Sequence, residues 1–304
     1  MRVALLSGGT GGAKLARGLL DTVGAENLTV IANTGDDAWV HGAHVSPDPD
    51  LVTYWLADAI DERGYGIRGD SWQVMDALEA AGRPTWFRLG DRDLAMCLIR
   101  SELLAAGERL TDAHAAVVKA MSVDSKVLPM CDEPAPTRVG VRGRLLPFQE
   151  FMIVERAEGP LESVEFAGID AARPTPEVLD ALRTADAIVI GPSNPVISIG
   201  PILAVPGMRD VLAAATAPIV AVSPFVGGAV LKGPTRLFCE AAGVDPSAAG
   251  VANLYTGLVD GLVADEPVDA DFPVHETPTL MDTPEARRAV ATAVLDFTAT
   301  LSGG

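Results

Sequence analysis

Two kinds of side chain stand where phosphate chemistry would need them. The segment Ser7-Gly8-Gly9-Thr10-Gly11-Gly12, with Lys14 two residues on, offers a run of backbone N–H groups that few side chains shield. Glycine accepts positive φ and lets the chain approach an anion closely, and a helix that starts there directs its positive end at the same point. Gly8, Gly9, Thr10, Gly11, Gly12 and Lys14 are therefore read as a phosphate cradle. The segment is not GxxxxGK[ST], which disfavours a Walker-type ATPase, and Gly9, Gly11 and Ala13 fall short of GxGxxG. The second kind is acidic: Asp36, Asp37, Asp48 and Asp50 lie in turn-like sequence after a buried run. Carboxylates beside bound phosphates serve as Mg²⁺ ligands or as a base. Their other use is in Asx turns and helix caps.

Three further segments carry polar groups. Arg88-Leu89-Gly90-Asp91-Arg92-Asp93 precedes a helical pattern. One of its aspartates suits an N-cap, and the mixed charges suit a polyhydroxylated group. Gly191–Pro201 fixes a rigid loop with its prolines and glycines, and exposes Ser193, Asn194 and Ser198 to a ligand. Val222–Gly228, followed by Lys232-Gly233-Pro234, repeats that logic. Trp39, His41 and His44 share the loop of the first acids, where Trp39 reads as packing rather than as a stacking platform. There is no GxSxG elbow and no HExxH. Cys97, Cys131 and Cys239 are far apart with no CxxC, which argues against a disulfide framework or structural zinc and for a reducing compartment.

The elements that must position these groups follow from apolar spacing. Val3–Leu6 and Leu28–Ala32 read as buried strands around a helix over 13–20, which makes a βαβ unit. Helices are expected over 51–60, 72–81, 94–106 and 111–121, then short β-like runs from 127 to 155. A helix over 176–185, strands over 187–190 and 219–222, a helix over 208–215 and a closing helix over 284–297 resume the first pattern. The fold class is α/β: a Rossmann-like doubly wound parallel sheet with a mostly helical insertion. The core takes 1–50 and 150–304, and the insertion takes 51–149. Open sheets of this kind bind ligands at the carboxyl ends of their strands, where all the loops above lie.

Composition agrees. The chain has 304 residues, 48% of them hydrophobic, enough for a sizeable core. Its net charge of −18 repels nucleic acid and anionic lipid and excludes either as the main partner. No apolar run reaches the roughly 18 residues of a membrane span, and the start is too short for a signal peptide. A soluble, cytoplasmic protein is expected.

Taken together, these loops resemble the 2-phospho-L-lactate transferases. The likeness is carried by Ser7–Lys14, Asn33–Asp37, Ser46–Asp50, Leu89–Asp93, Leu128–Met130, Phe148–Glu150, Gly191–Leu203, Val222–Pro224, Gly227-Gly228 and 232–234, in one order along the chain. It implies an enzyme of coenzyme F-420 biosynthesis. The deazaflavin Fo supplies its terminal ribityl hydroxyl, and a guanosine diphosphate ester of 2-phospholactate or phosphoenolpyruvate is the donor. GMP leaves, and Mg²⁺ is the cofactor. By resemblance Asp50 and Arg88 contact Fo, with Asp91 and Asp93 beside them. The glycine loop, Ser193, Asn194 and Ser198 hold the donor. Position and chemistry assign Asp37 and Asp50 to the metal and make Asp50 the catalytic residue, so that Asp50→Asn would abolish turnover and leave folding intact. A homodimer is implied by the family alone.

Some positions depart from the family pattern. Met96 and Cys97 stand where a Thr and a His are usual, Pro49 and Leu51 flank Asp50 in place of Leu and Thr, and Cys131 replaces a common Ser. A related family of sugar-nucleotide-binding regulators shares the glycine opening. Its Gly-rich continuation after the second strand is replaced here by Asp36-Asp37-Ala38-Trp39-Val40, which favours the transferase. A nicotinamide oxidoreductase is disfavoured because the second strand ends towards Asn33 rather than at an acid.

Overall fold

A computed structural model describes residues 1–230 and 233–301; Lys232 lies outside the described residues. The chain opens with β1 (Val3–Ser7), α1 (Gly9–Val23) and β2 (Leu28–Ala32), followed by the hairpin β3 (Ala38–Val40) and β4 (Ala43–Val45). Then come α2 (Pro47–Leu56), α3 (Gln73–Ala80), α4 (Asp91–Ala105), α5 (Leu110–Ala120) and β5 (Lys126–Pro129). The middle holds β6 (Thr137–Val141), β7 (Arg144–Pro147), α6 (Phe148–Ile153), β8 (Leu161–Phe166), α7 (Pro176–Thr184) and β9 (Ala187–Ile190). Next are α8 (Gly200–Ala204), α9 (Met208–Ala213), β10 (Ile219–Val222) and the short hairpin β11 (Phe225–Val226) and β12 (Ala229–Val230). The last part is α10 (Thr235–Ala241), α11 (Ala248–Tyr255), β13 (Gly261–Ala264), β14 (Val274–Glu276) and α12 (Pro284–Leu301).

Seven strands form one sheet in the order β14-β13-β10-β9-β1-β2-β5, and every neighbouring pair runs parallel. Each of β1, β9, β10 and β13 is a continuous buried run, as strands covered on both faces must be. One face packs α1, α2 and α12 through Leu15, Leu19, Val52, Val290 and Val294. The other packs α7, α8, α9 and α11 through Val178, Ile202, Leu212 and Val251. The expected doubly wound α/β sheet is present. The order reverses between β1 and β9, which makes the crevice outside their carboxyl ends the switch point of the sheet.

The segment 51–149 is not one separate helical body. Strand β5 pairs with β2 in register Val30 to Val127, and Val118 of α5 belongs to a core of the sheet. The β3–β4 hairpin, α3, α4 and the chain between them share a core of their own, around Val45, Met75, Leu89 and Cys97, and Tyr54, Ile60 and Ile67 make a smaller one. Strands β6, β7 and β8 make a second, antiparallel sheet. Helix α2 also starts earlier than the spacing predicts. Pro47 opens it, so Asp48 and Asp50 lie in its first turn rather than in a loop. Proline suits the first helical position, and acids there complement the helix dipole. Helix α4 likewise starts at Asp91, three residues before the first apolar position. Among the described residues no helix is long and apolar enough to cross a membrane.

Two glycines set the β1–α1 turn. Gly9 has φ +63°, which L side chains rarely adopt. A Cβ on Gly11 would lie 2.0 Å from the carbonyl oxygen of Pro192, so the helix start rests directly on the loop after β9. Backbone cannot yield as a side-chain tip can. Gly11→Ala is expected to lose about 2–3 kcal/mol in urea unfolding, whereas a loss below about 0.5 kcal/mol would show that the two loops do not touch.

Candidate active site

The carboxyl ends of β1 and β9 bring most of the expected donor-binding residues together. Gly8 N–H donates to Ser193 Oγ at 3.3 Å, and a Cβ on Gly12 would fall 2.3 Å from Ser7 Oγ and 2.7 Å from Ser193 Oγ. Ser198 closes over Gly8. Asn194 Oδ1 accepts from Val196 N–H at 2.9 Å and from Ile197 N–H at 3.3 Å, which fixes the amide and leaves its Nδ2 buried without a partner. Ser7 Oγ is buried and unpartnered as well. Buried polar atoms of this kind call for a partner, which a bound anion would supply. Thr10 stands in the first turn of α1. Lys14 is directed elsewhere: its ammonium pairs with Asp282, before α12, at 3.1 Å.

Carboxylates crowd the neighbouring end of β2. Asp48 Oδ1 accepts the Gly9 N–H at 2.7 Å, so an internal anion sits on the glycine loop. Its Oδ2 accepts from Asn33 Nδ2 at 2.9 Å, and the same amide reaches Asp36 Oδ1 at 3.3 Å. Asp37 Oδ1 accepts from Ser46 Oγ at 2.7 Å, and its other oxygen lies 3.7 Å from His44 Nε2. Burial, then the charge of Asp48, holds Asp36 well above the usual carboxylate range. Burial lifts Asp37 in the same way, and Asp48 is raised to about 6 by burial, against the pull of Asn33 and the Gly9 N–H. His44 is held down to about 4, chiefly by burial, and is neutral at pH 7. Desolvation thus lifts three neighbouring acids, two of which, Asp36 and Asp48, share the Asn33 amide.

Asp50 belongs to a different group, two residues along α2 and so on another side of the helix. Both of its oxygens accept from Arg100 of α4, each at 2.7 Å, in a bidentate pair whose guanidinium has no exposure. Arg100 also donates to the His44 carbonyl at 2.9 Å and to His114 Nδ1 at 3.4 Å. Burial lowers His114 to about 4. Its neutral ring therefore accepts from Arg100 at Nδ1 and donates from Nε2 to Thr53 Oγ1 at 3.4 Å. Tyr54 donates its hydroxyl to Asp93 at 2.7 Å. Asp93 is raised to about 7 by burial first and then by the charge of Asp50. Ligand atoms of Asp50, Asp93 and Cys97 lie within 4.8 Å of one another. Cys97 fills the place where an imidazole is usual, and burial pushes its thiol well above the ordinary range.

Arg88 and Asp91 do not join these groups. Arg88 is a surface residue paired with Asp76 at 2.7 Å and Glu79 at 3.3 Å, its guanidinium over the Trp72 ring. Asp91 accepts from Ser71 Oγ at 2.6 Å and from the Gln73 and Val74 N–H groups, which ties it to the start of α3. Neither aspartate is the expected N-cap of α4: Gly90 holds that position and Asp70 accepts from the Arg92 and Asp93 N–H groups, while Asp91 caps α3 and Asp93 turns to the interior. Trp39 is not packing, for 62% of it is exposed. Sequence reasoning passed over Arg100, His114 and Tyr54. Their signal was phase: Arg100 falls three residues after Cys97 on the buried stripe of α4. A cation there requires a buried partner.

An open parallel sheet, a glycine turn at its switch point and buried carboxylates beside it define an α/β protein of the class that binds ligands outside the strand ends. The chain belongs to the 2-phospho-L-lactate transferase family and is a transferase: the family described as "2-phospho-L-lactate transferase CofD" matches residues 3–294. A protein of Mycolicibacterium smegmatis named phosphoenolpyruvate transferase is 37% identical over 322 aligned positions, covering 98% of each chain. One of Methanosarcina barkeri named 2-phospho-L-lactate transferase is 40% identical over 268, covering 88% of this chain and 86% of that one. Among solved structures, a UPF0052 family protein of Bacillus halodurans superposes with TM-score 0.60 at 19% identity, over 97% of this chain and 98% of that one. That last likeness concerns the fold alone.

Proposed function

We propose that this transferase carries out a step of coenzyme F-420 biosynthesis. It moves a phospholactyl or phosphoenolpyruvyl group from its guanosine diphosphate ester to the ribityl hydroxyl of Fo and releases GMP. One observation supports it above all: Asp48 sits on the glycine loop at the switch point and shares the Asn33 amide with Asp36, while Ser7 and Asn194 at the neighbouring strand ends carry buried polar atoms without a partner. The donor diphosphate lies on Gly8–Gly12, Ser193, Asn194 and Ser198, where Asp48 sits on Gly9 without it. Asp36, Asp37 and Asp48 would hold Mg²⁺, which neutralises charge on the diphosphate. Asp50, expected to share the ion, has both oxygens on Arg100 and is assigned to the acceptor instead.

The acceptor oxygen bonds to the phosphorus distal to guanosine while the bond from that phosphorus to the GMP oxygen breaks. Asp50, held rigid by Arg100, orients the hydroxyl. Asp93, at about 7, is matched to take its proton near neutrality. Positioning of this kind supplies most of the rate in phosphoryl transfer. Incubation with Mg²⁺, Fo and each of the lactyl, enolpyruvyl and glyceryl donor esters is expected to release GMP stoichiometrically with a new phosphodiester for at least one donor. Tight binding of a UDP-sugar with no GMP from any donor would replace this function by that of a sugar-nucleotide regulator.

A further inference from the structure

One groove on the surface is formed by none of the residues assigned to the site. It is a groove of about 430 Å³ between the β3–β4 hairpin and the chain that follows α3, lined by Trp39, His41, Leu78, Arg83, Pro84 and Trp86. Two indoles in one groove stay open to solvent, Trp39 at 62% and Trp86 at 40% exposure. Large aromatic side chains left open in one concave site mark a binding surface. The walls are fixed to one another, since the His41 ring Nε2 is 2.7 Å from the Phe87 carbonyl oxygen and the ring closes the hairpin turn onto the opposite strand of chain. Trp86 packs edge-on against Phe87, with ring centroids 5.7 Å apart. Arg83 stands at the rim with its side chain exposed, and no described residue pairs with it.

Through Trp39 the groove adjoins the acids. The Trp39 ring meets the His44 ring edge-on at 5.3 Å, and His44 Nε2 lies 3.7 Å from Asp37. One imidazole thus separates the stacking surface from the carboxylates, a gap that a short polyol chain can span.

Resting on the acceptor proposed above, we infer that this groove holds the planar ring of the acceptor between Trp39 and Trp86, with Arg83 donating to a carbonyl edge of the heterocycle. A fused heteroaromatic ring offers each indole a face, and its dione edge offers the guanidinium acceptors. The ribityl chain then runs past His44 to the reacting hydroxyl. Stacking of a base-sized ring on an aromatic side chain contributes enough for an affinity change of roughly 5- to 100-fold per contact. Arg83 adds selectivity for rings with carbonyl oxygens at that edge.

Fo itself is the probe, followed by quenching of tryptophan fluorescence in the absence of donor. The wild-type protein is expected to bind Fo with quenching. Trp39→Ala and Trp86→Ala should each weaken Fo at least 5-fold, and Arg83→Ala should weaken Fo more than it weakens a ring analogue lacking the dione. In turnover the loss should fall on KM for Fo, with KM for the donor ester unmoved, a split that a general loss of structure would not give. Should either alanine variant fail to fold, Trp→Phe at the same position retains a smaller face and is expected to show an intermediate affinity. Unchanged Fo affinity in the Trp39→Ala/Trp86→Ala double variant overturns the groove and leaves the acceptor itself standing. So does a shift of oligomeric state in that variant without a change in Fo affinity, since the indoles would then belong to a contact between copies. If the wild-type protein binds no Fo at all, both fall together.

Discussion

Asp50→Asn is expected to unfold at lower urea than the wild-type protein, with a stability loss of about 3 kcal/mol, besides losing turnover. A base facing solvent would tolerate that change with little cost to folding, and from sequence alone Asp50 looked like such a base. The structure puts it instead at the bottom of α2 with 5% side-chain exposure, opposite a guanidinium with none. An amide can accept only one of the two Arg100 hydrogen bonds with comparable strength. The charge of Arg100 is then left in the interior, with the His44 carbonyl and the His114 ring as its remaining acceptors. Breaking one partner of such a pair costs far more than removing both. The double variant Asp50→Leu/Arg100→Met is therefore expected to recover most of the lost stability while remaining inactive. Urea unfolding followed by circular dichroism, with the GMP-release assay beside it, separates the two effects. Equal stability of Asp50→Asn and wild type, within about 0.5 kcal/mol, would mean that the pair is not buried as described.

How far the sequence carried this picture depended on the range of each signal. Strand and helix periodicity is local, so the βαβ opening, the buried run of β9 and the helix after Thr175 were legible residue by residue. The glycine loop and Ser193-Asn194 were legible too, because both follow such runs and must meet at a switch point. Helix starts were harder. Pro47 and the acids after it read as turn formers, and the same residue types make a first helical turn when the following apolar residues pack on the sheet. Pairings between distant segments were not legible at all. Nothing in Arg88 or Arg100 alone tells which one goes inside; the phase of α4 decides it, and only the packing of α4 against α5 and β4 fixes that phase. Trp39 illustrates the converse. Composition favours a buried indole, yet its strand position places it opposite His44 on the outward face of a two-stranded hairpin.

Asp48→Asn is expected to move stability and activity in opposite directions. Asp48 is raised to about 6 in the folded chain, above the value near 4 of an unfolded carboxylate. Its ionised form therefore costs stability above about pH 6, and that cost disappears as the pH falls to about 4. The amide removes the cost but gives up part of the hydrogen bonding with Asn33, whose Nδ2 now meets a second NH₂ group. The balance is a gain of about 1–2 kcal/mol at pH 8 without metal, fading by about pH 4. The acceptor for the Gly9 N–H survives, so the glycine turn keeps its shape. Activity should go the other way. If the three carboxylates hold Mg²⁺ as proposed, neutralising one of them weakens that binding, and GMP release should drop at least 100-fold. Mg²⁺ should raise the melting temperature of the wild-type protein and leave that of the variant nearly unmoved. If the variant keeps both its Mg²⁺-dependent melting shift and its turnover, then Asp48 is only the internal stand-in for a phosphate on the glycine loop, and the cation must be held without it.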